Sequence, residues 1–214
     1  MSIKCPASLL ISGPSQSGKT TLIAKIVQHC RDVFDPPISN IIIAHSRSQN
    51  IYSHIIQTSP VPVRLIQGLP NDLIPPPNTF LIIDDLQGSE FSKTIADFFT
   101  KNSHHYETTV AYLVQNLFLQ TPHHRTASLN SHYIILFKNP RDGSQIHHLA
   151  KQIAPSNPAF VVDAFKQSTE QAHGYLMIDL KQKTDENLRL RNSIFPESHF
   201  FIDKKKGVLF NLPI

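Results

Sequence analysis

Three short groups of residues in this chain have the types and spacing that handle phosphate chemistry. The first is Gly13-Pro14-Ser15-Gln16-Ser17-Gly18-Lys19-Thr20-Thr21, two glycines with four residues between them, followed by Lys and Thr. Glycines let a backbone curl so that consecutive N–H groups point inward, and the positive end of a following helix adds to their pull on phosphate oxygens. In such a pattern Lys19 reaches the β and γ phosphates of a bound nucleotide and the Thr20 hydroxyl ligates Mg²⁺. The second group is Asp84-Asp85, which closes the apolar run Phe80-Leu81-Ile82-Ile83. Asp84 is placed to hold Mg²⁺ through its water shell. Asp85, pointing the other way, is placed to orient or deprotonate an attacking water. The third is Gln115, which follows the run Thr108 to Val114 and would put an amide at a strand tip beside the γ phosphate; an amide at such a place also caps turns.

These groups work only if particular elements position them. Leu9-Leu10-Ile11 reads as the strand entering the phosphate loop, and Leu22, Ile23, Ile26 and Val27 leave it at helical spacing, predicting a helix from Lys19 to about Arg31 that Asp35-Pro36-Pro37 ends. Strands are predicted at Asn40 to Ala44, Val61 to Gln67, Phe80 to Asp85, Thr108 to Val114 and Tyr133 to Lys138. Helices are predicted at Gln49 to Thr58, Ser89 to Lys101 and Arg141 to Ile153, and another from Asn157-Pro158, a polar cap with Pro at the first helical position. The continuous apolar run before Asp84 fits a central parallel strand buried on both faces, whose C-terminal end shares an edge with the phosphate loop. The distance along the chain between loop and acids leaves room for an inserted strand. Gln115 after the acids then fits the division of loop-type ATPases whose catalytic acid follows the Mg²⁺ acid. Gly174 to Asp179 and Leu188 to Arg191 read as a hairpin or edge ribbon. On it Arg189 and Arg191 share one face near Lys181 and Lys183, a basic face that is either solvated or a DNA contact.

Length and composition bound the rest. With 214 residues and 40% apolar content, one α/β domain with a sizeable core is expected. The net charge of +4 permits a polyanionic partner without requiring one. Cys5 and Cys30 are the only cysteines, which argues against a disulfide framework and for a reducing compartment. No apolar run approaches the roughly 18 to 20 residues of a membrane span, and the short run Ala7 to Ser12 leads into the phosphate loop rather than a cleavage site. Six of the 12 histidines fall in adjacent pairs, which diverge on a helix or strand, and no His-x3-His helical spacing occurs, so zinc is not expected. The pairs His104-His105 and His123-His124 are placed on loops, within reach of DNA or a partner.

The phosphate and acid motifs belong to a longer series: Asp84-Asp85-Leu86, Thr100-Lys101-Asn102-Ser103-His104-His105, Gln115-Asn116-Leu117-Phe118, Ser128-Leu129-Asn130-Ser131-His132-Tyr133, and Phe137-Lys138-Asn139-Pro140-Arg141-Asp142. It continues through His173-Gly174-Tyr175-Leu176 and Asp179-Leu180-Lys181-Gln182 to Asn192-Ser193-Ile194-Phe195-Pro196. Together these blocks resemble the FtsK/HerA-type genome-packaging ATPases, nearest to the poxvirus-like, Maverick/Polinton and adintovirus types. The resemblance covers residues 8 to 196. It implies a RecA-like, ASCE-type P-loop NTPase domain at 1–196, α/β with a mostly parallel central sheet and helices on both faces, and a C-terminal β extension. Residues 197–214 would form a tail for docking or oligomer contact. It further implies ATP and Mg²⁺ as cofactors, a ring of five or six copies that moves double-stranded DNA without regard to sequence, and a capsid or portal protein as a further partner. The expected setting is intracellular, in a host nucleus or cytoplasm, or with the virion. In this family an Arg commonly precedes the strand that ends in the Gln. Here Tyr106 holds that place, leaving Arg125 or Arg141 to reach a neighbour's nucleotide. Two other readings of the same loop are a nucleotide-gated assembly or export factor without DNA pumping, and a small-molecule kinase.

Overall fold

In the computed structural model, residues 2–86, 88–118, 121–195, 201–202 and 209–210 are described. The chain opens with a short strand β1 (Ile3–Lys4) and the loop-bearing strand β2 (Ser8–Ser12), then α1 (Lys19–Gln28), α2 (Cys30–Val33), β3 (Phe34–Asp35), β4 (Asn40–His45), α3 (Asn50–Thr58) and β5 (Val63–Gln67). The acid-bearing strand β6 (Thr79–Asp84) leads to α4 (Ser89–Asp97), a π turn at Phe98–Asn102, α5 (Ser103–His105) and β7 (Thr109–Val114). There follow α6 (Pro122–Leu129), β8 (Tyr133–Phe137), α7 (Ser144–Ile153), α8 (Pro158–Ser168), β9 (Tyr175–Asp179), β10 (Leu190–Arg191), β11 (Phe201–Ile202) and β12 (Leu209–Phe210).

Ten strands form one sheet in the order β12-β11-β10-β9-β8-β2-β7-β6-β4-β5, while β1 and β3 pair separately. From β8 to β5 every pairing is parallel, and from β8 outward to β12 every pairing is antiparallel. The parallel strands are the ones that read as unbroken apolar runs: β2, β6, β7 and β8 are buried along their whole length. Alternation then assigns each side chain to a face. Leu9 and Ile11 pack with Leu22, Ile23, Ile26 and Val27 of α1 and Ile55 of α3, whereas Leu10 packs with Ile146 and Leu149 of α7 and Val161 of α8 on the other face. This is the expected α/β architecture with helices on both faces and a C-terminal β extension. Strand β7 is inserted between the loop strand and the acid strand, bonded to both.

Several local expectations are amended. The first helix breaks at His29 and resumes for one turn, so it is two helices rather than one reaching Arg31. The helix expected from Ser89 to Lys101 contains the π turn, which lets the adjacent Phe98 and Phe99 both be buried. The pairs His104-His105 and His123-His124 lie on α5 and α6 rather than loops; His124 is buried with Nε2 3.1 Å from the Leu117 carbonyl, a packing role. The hairpin of β9 and β10 is present, but its two arginines do not stand free in solvent. Arg191 is buried against Asp179, and Arg189 is spent on the turn, donating to the Asp179 and Lys181 carbonyls at 3.0 and 2.9 Å and to Glu186 at 2.7 Å. Strands β11 and β12 continue the sheet by backbone pairing, while the rest of the expected tail at 197–214 lies outside the described residues.

Candidate nucleotide site

The C-terminal ends of β2, β7, β6 and β4 lie side by side. Ser12 is in register with Val114, Leu113 with Asp84, and Asp84 with His45. The phosphate loop leaves the first of these tips, and the Gly13 N–H is tied to the Val114 carbonyl at 3.1 Å. Glycine is required at both ends of the loop for different reasons. A Cβ on Gly13 would meet Phe137 Cβ and Ser17 Oγ at 2.7 Å. Gly18, with φ +107°, holds a left-handed conformation at the start of α1 that L side chains rarely adopt. The first turn of α1 has no side-chain cap, so its N–H groups remain available to an anion.

Lys19 is the first residue of α1. Its Nζ folds back onto the loop carbonyls of Gly13 and Pro14, at 2.6 and 2.9 Å. Burial pushes its pKa down, while Asp84 and Asp85 pull it up, so both acids lie close enough to stabilise the ammonium. Thr20 is half-buried in the same turn and Thr21 is exposed. Asp84, the last residue of β6, is 5% exposed. Its Oδ2 accepts from the Tyr52 hydroxyl at 2.9 Å and from Gln49 Nε2 at 3.4 Å. Burial raises the Asp84 pKa, and the Tyr52 hydrogen bond acts against that rise. Asp85 lies one residue past the strand with φ 55°, a left-handed conformation uncommon outside glycine and most readily taken by Asn, Asp and His, and it is exposed. Gln115 stands in the equivalent place after β7, with Nε2 3.4 Å from Asp85 Oδ1. The turn-capping role falls instead to its neighbour Asn116, whose Oδ1 accepts from Phe118 N at 2.8 Å.

The structure thus brings together Gly13 to Thr21, Asp84, Asp85 and Gln115. Arg125, on α6, and Arg141, in the turn after β8, are exposed, and neither guanidinium is ion-paired among the described residues. Tyr106 sits half-buried at the opposite, N-terminal end of β7, packed on the core, and so cannot serve the phosphate loop of its own chain.

Sequence reading missed four residues at the site. Tyr52 and Gln49 hold Asp84 from the start of α3. His45 ends β4 beside Asp84, buried, with its ring centroid 5.2 Å from that of Tyr52. His173, with φ 64°, places Nδ1 3.1 Å from the Ser17 carbonyl on the far side of the loop. There a cleft of about 760 Å³ opens between Gly18, Thr21 and Lys25 on one side and Gln167, His173 and Phe195 on the other. Ser12 Oγ, Ser17 Oγ and His45 Nδ1 are buried around the loop and the acids without a hydrogen-bond partner among the described residues. Buried polar atoms seldom go unpaired. Their clustering here, with a glycine cradle, a loop lysine and the oxygen donors of Thr20 and Asp84, fits a bound nucleotide with a hard divalent cation.

No protein-family model matches the chain, and no curated protein matches it significantly. Among solved structures the chain is similar to the genome packaging NTPase B204 from Sulfolobus turreted icosahedral virus 2 in complex with ATP-gammaS. The TM-score is 0.48 and the identity 17%, over 83% of this chain and 94% of that one. It is also similar to the ATPase DotB of Legionella pneumophila, with a TM-score of 0.39 and 13% identity over 78% of this chain and 53% of DotB.

Proposed function

We propose that this chain is an Mg²⁺-dependent ATPase that acts in a ring to drive double-stranded DNA into a capsid. The observation that carries the hydrolytic part is the alignment of Lys19, Asp84, Asp85 and Gln115 at one sheet edge, with Asp85 and Gln115 on adjacent strand tips. The loop N–H groups and Lys19 bind the β and γ phosphates, Lys19 exchanging its loop carbonyls for phosphate oxygens. Thr20 and Asp84 hold Mg²⁺, which when bound neutralises charge on the β and γ phosphates. Tyr52 and Gln49 orient the Asp84 carboxylate. Asp85 accepts the proton of the attacking water, and Gln115, donating its amide N–H, keeps the carboxylate turned to the γ side. The base and ribose occupy the cleft beside His173. Arg125 or Arg141 supplies the cation that a neighbour's developing charge needs. The DNA-moving part rests on the resemblance across residues 8 to 196 to the packaging ATPases.

One experiment tests both parts: ATP turnover with and without mixed-sequence duplex DNA, read beside oligomer mass. Turnover that rises as rings form and is accelerated by duplex supports the motor. Turnover in rings that ignores duplex points to an assembly or export ATPase, and transfer of phosphate to a metabolite points to a kinase.

A further inference from the structure

At the sheet edge opposite the phosphate loop, where β2 and β8 begin and β9 ends, a cleft of about 1100 Å³ carries four cations, Lys4, Lys181, Lys183 and Arg191, against two carboxylates, Asp179 and Asp185. Arg191 is the unusual member. Its side chain is 2% exposed and Nη2 meets Asp179 Oδ2 at 3.1 Å, yet Nε and Nη1 are buried without a hydrogen-bond partner among the described residues. Asp179 is itself fixed, accepting from the Lys181 backbone N–H at 3.0 Å, so it cannot turn to satisfy the rest of the guanidinium. Unpaired buried donors on a charged group are costly, and an incoming acceptor with several oxygens removes that cost.

The surroundings select the charge of that acceptor. Lys4 is neutralised by Asp35 at the rim, and Asp179 by Arg191, which leaves Lys181 and Lys183 facing the single carboxylate of Asp185. The Lys181 ammonium is drawn inward, donating to the Lys4 carbonyl at 2.5 Å and standing 5.4 Å from the Tyr133 ring centre. His132 adds a donor of fixed sense. Its Nδ1 accepts the Ser8 N–H at 3.0 Å, so the ring proton sits on Nε2. Burial, Lys181 and His104 push its pKa down to about 4, which keeps the ring neutral. A buried guanidinium, an excess of ammonium groups and neutral donors suit an oxyanion bearing more than one acceptor oxygen.

We propose that this cleft is a second phosphate-binding site, separate from hydrolysis, in which Arg191 supplies its unpaired Nε and Nη1 and Lys181 and Lys183 supply the counter-charge. The ligand is a phosphate group, carried either by a free phosphate compound or by the backbone of a nucleic acid. The proposal does not depend on the chain being an ATPase.

The test uses the full chain carrying Lys19→Ala, so that the phosphate loop contributes little. Pyrophosphate is titrated calorimetrically and a short mixed-sequence duplex by fluorescence anisotropy, each at low salt. In the Lys19→Ala chain at least one probe binds saturably. Adding Lys181→Gln and Lys183→Gln weakens it by about tenfold or more, the size of a lost charge-assisted contact. Arg191→Lys, which keeps a cation for Asp179, weakens it as well; the two Lys changes decide the matter if that variant does not fold. Binding of pyrophosphate identifies a free phosphate compound as a ligand, and binding of duplex alone identifies the nucleic-acid backbone. The proposal is overturned if neither probe binds, or if binding is indifferent to Lys181→Gln and Lys183→Gln.

Discussion

On one side of the phosphate loop lie the tips of β7, β6 and β4, with Gln115, Asp84, Asp85 and His45; on the other lies the connection between α8 and β9, with His173. The first wall is built from strands buried along nearly their whole length and locked in parallel register. Its key carboxylate is held by Tyr52 of α3 and by Gln49 just before that helix. The second wall is an exposed connection, touching the loop through a hydrogen bond from a left-handed His173. The difference matches the tolerance of the two tasks. Attack on a γ phosphate loses rate steeply with small misplacements, whereas gripping a nucleoside needs contact rather than alignment. The acid wall should therefore set turnover, and the connection wall should set affinity.

The largest effects should come from the loop cation and the acid wall. Lys19→Ala should lower turnover by about 10²–10³, the loss expected for an electrostatic donor aimed at developing charge. ATP binding should weaken by about tenfold or more, since a charge-assisted contact is lost. The fold should survive, because the hydrogen bonds of Lys19 among the described residues go to its own loop. Unchanged steady-state turnover in the folded variant would remove the hydrolytic reading of both walls.

Asp85→Asn should lower turnover by about 10²–10⁴, the range of a lost general base, because an amide cannot take the water's proton. ATP and Mg²⁺ should still bind, with affinities near those of the unaltered chain. If turnover persists, Asp85 is only a left-handed residue after a strand, and the separation of rate from affinity on the acid wall fails.

The two walls also differ in how far the sequence reveals them. The phosphate loop and the acids are legible because a buried parallel strand writes itself as an unbroken apolar run, and its end marks the edge where ligands sit. The inserted strand β7 follows from the spacing of loop, acids and Gln115. Tyr52 was hidden because an amphipathic α3 accounts for an aromatic on its buried face without any further role. The signal that could reveal it is sheet order: once β4 lies beside β6, the start of α3 must pass over Asp84. His173 reaches a partner 156 residues away in the chain, and no local pattern encodes such a contact. The left-handed turn of Asp85 leaves only a weak trace in its residue type, since Asp takes that conformation more readily than most residues but mostly does not. The basic ribbon is legible only in part, for a related reason. Alternation places Arg191 on a face but does not say which face is covered, and here β9 presents Asp179 to it from within the sheet.

A moderate effect separates orientation from catalysis within the acid wall. Tyr52→Phe removes the hydroxyl that donates to Asp84 at 2.9 Å and restrains the rise of its pKa. The Mg²⁺ concentration for half-maximal turnover should rise about tenfold, as for groups that orient a metal's ligands. Turnover at saturating Mg²⁺ should approach that of the unaltered chain. A fall in the Mg²⁺ requirement would reverse the assignment, making Tyr52 a competitor that the cation must displace rather than a support.

The smallest effect should come from the connection wall, and it is the one that tests the comparison most directly. His173 makes a neutral hydrogen bond to Ser17, of a kind worth about 0.5–1.5 kcal/mol, which corresponds to roughly 2- to 12-fold in affinity. Its left-handed backbone adds a cost for alanine that asparagine largely avoids, so His173→Asn serves as the control for conformation. Both variants should weaken ADP and ATP to the same degree, because the cleft beside His173 lies at the Gly18 and Thr21 end of the loop, away from the acids. Turnover at saturating ATP should stay within about twofold, since the hydrogen bond of His173 goes to the Ser17 carbonyl, whereas it is Gln115 that bonds to Asp85. Calorimetric ADP affinities measured beside saturated turnover decide the point. Were His173→Ala to spare ADP binding but slow hydrolysis, the loop would be transmitting alignment from this wall to the acids, and the division between rate and affinity would be wrong.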